Sequence, residues 1–155
     1  IGWLICFTIK NEGKKNLILH PMDIRTHLQL AQLIQQGTFV LKEPAQTLLE
    51  AESLLKDAME KSPKRQQIIY QLSMLELQLG KANEAASLLE EAVADDVKIT
   101  ESWWRLALVY YEMGDIARAK ATIQEAEQRG IVFADTGKSV RDTIFADING
   151  SNKEK

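Results

Sequence analysis

The chain has 155 residues, of which 45% are hydrophobic and 26% charged, so it is globular and long enough for one domain with a modest core. A formal net charge of −3 lacks the basic footprint of a nucleic-acid binder. A single cysteine, Cys6, excludes an intrachain disulfide and a cysteine-held metal. With only 3 Pro and 8 Gly among many Leu, Ala, Glu, Gln and Lys, the composition points to an all-α protein.

Residues 1–9 run Ile1-Gly2-Trp3-Leu4-Ile5-Cys6-Phe7-Thr8-Ile9 and are almost wholly apolar. Lys10, Lys14 and Lys15 follow, against Glu12, so residues 1–20 carry +2 and the rest of the chain −5. Two readings are open. In one, the stretch is the end of a transmembrane helix truncated at Ile1, since a full span needs about 20 residues, and 10–19 form a basic juxtamembrane linker. In the other, it packs as a helix or strand on the domain. A signal peptide fits less well, because its charges should precede the apolar run.

A helix is expected from about Asp23 to Gln36, with His27, Leu30, Ala31 and Ile34 on one face and Gly37 at its end. Its partner carries Ala51, Leu55 and Ala58 on its apolar face, with an insertion around Thr38 to Gln46 between the two. Ser62 is expected to cap the next helix, with Pro63 in its first turn.

Two units then superimpose at an offset of 34, Gln66–Ile99 and Thr100–Phe133. Gly80 falls on Gly114, Leu72 on Leu106, Ala85 on Ala119 and Ala92 on Ala126. Trp103, Leu106, Ala107 and Tyr110 lie on one face of a helix. Gly114 breaks that helix by taking the left-handed conformation, and Asp115 caps the next. Ala119, Ile123 and Ala126 face back, and the small Ala107 and Ala119 let the two backbones approach. Glu76 stands where the second unit has Tyr110, so a looser or solvated contact is expected there. Beyond Gly130 a short helix over about Thr136 to Ile148 is expected to cap the stack, because stacked repeats expose an apolar end. Residues 149–155 read as a polar tail.

These residues resemble the tetratricopeptide repeat family, whose W-x-x-L-G-x-x-Y…G…A-x-x-x-F…A…P pattern has this period. The second unit matches best, with Trp103, Leu106, Tyr110, Gly114, Ala119 and Ala126 in place. It departs at Ala107, Ile123 and Ile131. The resemblance implies an all-α, tetratricopeptide-type α-solenoid of antiparallel helical hairpins. It would comprise about two and a half to three repeats over 20–148: an irregular one at 23–63, two regular ones at 66–99 and 100–133, and a cap at 136–148.

The residues offer no catalytic constellation, so this chain is not expected to be an enzyme or to need a cofactor or metal. His20 and His27 are seven apart, whereas four apart on one helix suits a shared metal better. His27 reads as a packing histidine and His20-Pro21 as a helix-start turn. Gly-rich phosphate loops and Gly-x-Ser-x-Gly are missing.

In the family, the first helix of each unit lines a concave groove. By position the lining here would be Gln67, Tyr70, Met74, Leu77 and Gln78, then Glu101, Trp104, Leu108, Tyr111 and Glu112. The resemblance therefore implies a protein-interaction or scaffolding module that takes a peptide or partner helix in this groove. Tyr70, Met74, Trp104, Leu108 and Tyr111 would form an exposed apolar patch for such a partner, or would pack inside the small domain. The carboxylate clamp of chaperone-binding relatives is not matched, because Arg105 stands alone among Tyr70, Met74, Trp104 and Leu108.

The whole arrangement also resembles the C-terminal region of bacterial O-antigen ligase or polymerase membrane proteins. The resembling features are the apolar segment to Ile9, the linker through Asn16, Leu30-Ala31-Gln32-Leu33, and Ser62-Pro63-Lys64-Arg65-Gln66 before a paired repeat. That resemblance implies a membrane-associated chain serving as the partner-recruiting tail of an enzyme of lipid-linked glycans; the lysines after Ile9 put its repeats on the cytoplasmic side. No catalytic residue transfers to any position here.

Overall fold

The computed structural model describes residues 2–37 and 44–150, and the side chains of 10–35 and 46–146. All the regular structure among them is helical. The chain divides into two compact units, Ile1–Lys81 and Ala82–Lys155.

The first unit holds α1 (Gly2–Leu19), α2 (Ile24–Gly37), α3 (Pro44–Lys61) and α4 (Gln66–Gln78). Helix α2 packs on α3, α3 on α4, α1 against α2, and α2 also touches α4. The core follows the expected faces: His27, Leu30, Ala31 and Ile34 from α2, and Ala51, Leu55 and Ala58 from α3, are all buried. Helix α4 adds Ile68, Ile69, Leu72 and Leu75. Part of the expected insertion, 44–46, is the first turn of α3; residues 38–43 lie outside the described residues.

Three expectations change here. Residues 10–19, expected as a linker, are the second half of α1, and Lys10 and Lys14 both pair with Glu50 of α3. Two cations on one carboxylate tie the helix to the domain. Among the described residues no helix is long and apolar enough to cross a membrane. Pro63 lies in a turn between α3 and α4, and Arg65 rather than Ser62 holds the cap position, without a side-chain cap bond. The Arg65 N–H donates to the Ser62 carbonyl at 3.2 Å, so the turn closes on itself before the helix begins.

The third change concerns Glu76, which is not solvated but 2% exposed. Lys56 Nζ lies 3.3 Å from its Oε1 and Lys81 Nζ 3.5 Å from its Oε2. The same two lysines bind Glu52, itself buried. Long lysine stems bring their ammonium groups to the carboxylates while the lysine side chains stay about half and one-third exposed, at 53% and 36%. Lys56 thus bonds Oε1, whereas Oε2 takes no hydrogen bond and meets Lys81 only as a charge at 3.5 Å.

The second unit holds α5 (Ala82–Asp95), α6 (Thr100–Glu112), α7 (Ile116–Gln128) and α8 (Asp135–Gly150). Helices α5 and α7 pack on α6, and α8 packs on α6 and α7. Leu89, Val109, Ile123 and Ile144 are fully buried between them, and Ala107, Ala119 and Ala126 show no exposure, as close helix contact requires.

The helix ends repeat one device. At Gly114, φ is +78°, its N–H donates to the Tyr111 carbonyl at 2.9 Å, and the Asp115 N–H donates to the Tyr110 carbonyl at 2.9 Å. This Schellman closure satisfies the last carbonyls of α6 and needs a residue without a Cβ penalty. The same pair of bonds closes α4 at Gly80, where φ is +77°. Asp115 then caps α7, its carboxylate accepting from the Arg118 N–H at 2.9 Å.

Candidate peptide-binding face

Helix α4 carries the expected residues of the first unit. Gln67, Gln71, Met74 and Gln78 follow at steps of four, three and four, which is one stripe along the helix. Gln67 and Gln78 are exposed, and Met74, Leu77 and Gln71 are half-buried. Tyr70 is 7% exposed, and its hydroxyl donates to Gln66 Oε1 at 2.7 Å. It belongs to the packing of its unit more than to an open face. Helix α2 joins the stripe where Gln35 Nε2 donates to Gln78 Oε1 at 2.9 Å.

Helix α6 carries the residues of the second unit. Glu101, Trp104, Leu108 and Tyr111 are half-buried, and Glu112 is exposed. Trp104 lies against α8: a methyl group on Gly137 would sit 2.9 Å from its Cδ1. The Arg105 guanidinium stacks 4.6 Å from the Trp104 ring centroid and donates to Glu101 Oε1 from Nε at 2.9 Å and Nη2 at 2.7 Å. Arg105 is thus engaged by Glu101 and Trp104 on α6. The expected apolar set therefore splits. Tyr70 and much of Trp104 serve packing, while Met74, Leu77, Leu108 and Tyr111 keep part of their surface open.

Behind α6 the structure is held by Tyr110. Its hydroxyl donates to Glu90, and the Arg118 guanidinium stacks 4.6 Å from its ring. Burial, then the Glu90 carboxylate, pushes the phenol up to about 12. Trp103 donates its indole N–H to the Val97 carbonyl at 2.8 Å, which pins the loop between α5 and α6. These contacts fix the helix that presents the Leu108 and Tyr111 surface.

His27 is 1% exposed, with Nδ1 2.8 Å from the Asp23 carbonyl and Nε2 2.7 Å from Asp57 Oδ2. Lys61 pairs with the same Asp57. The Lys61 hydrogen bond and then that of His27 hold the Asp57 carboxyl below its usual range. The ring thus stitches α2 to α3, in keeping with a packing histidine. Among the described residues no three His, Cys, Asp or Glu side chains gather as metal ligands.

Two further glutamines, Gln71 on α4 and Gln35 on α2, lie on this stripe or against it. Gln71 sits four residues after Gln67, so helical spacing alone could have placed it on the stripe. Gln35 follows only from the contact between α2 and α4, where it bonds Gln78.

Comparison with known proteins agrees with this architecture. Tetratricopeptide repeat family models match residues 45–106 and 100–129. No curated protein matches the sequence. Among solved structures, the thermophilic tetratricopeptide protein TTC0263 of Thermus thermophilus is similar, with a TM-score of 0.71 at 21% identity over 90% of this chain and 71% of that one. The Sgt2 tetratricopeptide domain of Aspergillus fumigatus has a TM-score of 0.59 at 21% identity over 79% of this chain and 82% of its own. The MamA protein has a TM-score of 0.61 at 19% identity over 90% and 77%. At these identities the likeness is one of fold. The resemblance to O-antigen ligase or polymerase proteins finds no support in it. Residues 45–129, more than half of the chain, are tetratricopeptide repeats, and the chain belongs to that family.

Proposed function

We propose that this chain is a protein-interaction module that takes peptide or helical segments of partner proteins on the partly open faces of α4 in the first unit and α6 in the second. The observation that carries the reading is the half-open apolar surface of Met74 and Leu77 on α4, and of Leu108 and Tyr111 on α6. Side chains at these positions lie on helices whose opposite faces are already buried, so the open side has no packing role within its own hairpin. Apolar and aromatic surface of this kind loses water on contact and gains affinity from it. The exposed Gln67, Gln78 and Glu112 provide a polar rim.

The test is affinity capture from native extract with the intact chain, compared with Met74→Asp and Leu108→Asp. Ala121→Asp, on an exposed position of α7, is the control. At unchanged helical content, Met74→Asp should lose proteins captured by the first unit and Leu108→Asp those captured by the second, while the control keeps both. Retention of the same set by both groove variants would sink the proposal.

A further inference from the structure

The buried His27 ring meets a hydrogen-bond acceptor at each of its nitrogens. Nδ1 lies 2.8 Å from the Asp23 carbonyl oxygen, and Nε2 lies 2.7 Å from Asp57 Oδ2. A neutral imidazole donates from one nitrogen and accepts at the other; only the imidazolium donates from both. A backbone carbonyl has no proton to give. The Lys61 ammonium, paired with Asp57, keeps that carboxyl ionised, so it has none to give either. Both ring nitrogens therefore carry protons in this arrangement, and His27 is a cation.

Lys61 Nζ also stands 3.5 Å from Nε2. The imidazolium thus gains a charge-assisted bond to Asp57 and suffers a like-charge contact with Lys61. Loss of the Nε2 proton reverses both, because a bare ring nitrogen repels a carboxylate and accepts from an ammonium. Helices α1, α3 and α4 pack against α2. The charged groups of α3 at the ring are Asp57 and Lys61. Those of α1 and α4 are engaged elsewhere: Lys10 and Lys14 with Glu50, Lys15 with Glu12, and Glu76 with Lys56 and Lys81. In the turn before α2 the Asp23 carboxylate accepts from the Thr26 hydroxyl, and His20 and Arg25 are exposed.

We infer that His27 is a proton-operated latch between α2 and α3: protonated, it donates through Nε2 to Asp57; deprotonated, the same nitrogen accepts from Lys61. Nδ1 keeps its proton on the Asp23 carbonyl in both states, so the ring stays in place and only its α3 partner changes. Histidine is the side chain whose ordinary charge change falls between about pH 5 and about pH 8. The Asp57 side chain is 49% exposed, which gives water a path to Nε2. The bond to Asp57 is short and joins two ions, whereas Lys61 lies 3.5 Å off and is shared with Asp57. The hairpin of α2 and α3 is therefore held more firmly at the acid end of that range.

The experiment is nitrogen NMR of the ring in the full chain, with His20→Gln removing the signals of the other histidine. Hydrogen exchange of the α2 amides, corrected for intrinsic rates, is followed at about pH 5.5 and about pH 8.5. At the lower pH both His27 nitrogens should be protonated, and at the higher only Nδ1. Protection of the α2 amides should fall by about 3- to 10-fold between the two, with helicity unchanged. His27→Gln should remove that difference. Asp57→Asn should move the ring transition to lower pH and Lys61→Met to higher pH, because one loses an attracting charge and the other a repelling one. A ring protonated on both nitrogens at both pH values, or neutral at both, would overturn the inference, as would a neutral ring with its proton on Nε2. Equal α2 protection at the two pH values, or a shift in the same direction for Asp57→Asn and Lys61→Met, would also overturn it. The ring and exchange measurements need no change at α2 or α3, so they decide the matter even where a variant fails to fold.

Discussion

Gly137 is the most demanding contact point of the second unit, and Gly137→Ala sets two effects of opposite sign against each other. Alanine favours a helix over glycine by about 1 kcal/mol in a helix interior. Gly137 is in the first turn of α8, where few backbone bonds depend on helicity, so the gain there is smaller. Against it, the new methyl would lie 2.9 Å from Trp104 Cδ1 and 3.3 Å from Phe133 Cδ1. Carbon contacts are most favourable at about 3.5–4.0 Å. The indole cannot slide freely away, because Arg105 is stacked on it and anchored to Glu101. Overpacking of this kind costs about 1–3 kcal/mol, which exceeds the propensity gain. The expected net loss is about 1–2 kcal/mol, or about 2–8 °C in Tm for a chain of this size. Thermal unfolding followed by circular dichroism measures it. Trp104→Leu should remove most of the penalty when combined with Gly137→Ala, giving clear coupling in a double-mutant cycle. A higher Tm for Gly137→Ala, or strict additivity with Trp104→Leu, would refute the packing of α8 on Trp104.

Three further outcomes are expected. Gly114→Ala should cost about 1 kcal/mol because the residue holds φ at +78° with open space around it, so the loss is conformational and not steric; equal stability by urea titration would contradict the Schellman closure. In a spectrophotometric titration, one of the 3 tyrosines should ionise near pH 12 and vanish in Tyr110→Phe. Because that phenol is raised above its ordinary 10.0, its contribution to stability is complete below pH 10 and is lost as the pH rises through about 12. Acid acts through other groups. Burial alone would raise Glu50 and Glu52, but Lys10 and Lys14 on the one, and Lys56 and Lys81 on the other, bring each below the ordinary 4.5. Depressed carboxylates stabilise above that value, so unfolding midpoints should fall as the pH drops below about 4.5, and Glu50→Gln should flatten part of that slope.

Much of the fold was legible because helical hairpins encode themselves locally. Gly80 and Gly114 announce the helix ends, since only glycine takes the left-handed conformation without penalty. Ala107, Ala119 and Ala126 announce close packing by their size, and Trp103, Leu106 and Tyr110 mark one face by their spacing. Asp115 could be read as a cap from its place alone.

What tertiary structure decided was which surface each face meets. Periodicity says that Tyr70 and Trp104 lie on one side of a helix; only the packed chain buries the first and lays the second against Gly137. Glu76 looked like a loosened aromatic position, because its ionic partners Lys56 and Lys81 come from another helix and from beyond a turn. Lys10 and Lys14 read only as a basic pair after an apolar run; that both meet Glu50 on α3 follows from the packing alone. The division has one physical cause. Backbone conformation and amphipathic period are properties of neighbouring residues, whereas burial, ion pairing and the Gln35–Gln78 bond between α2 and α4 depend on residues far apart in the chain.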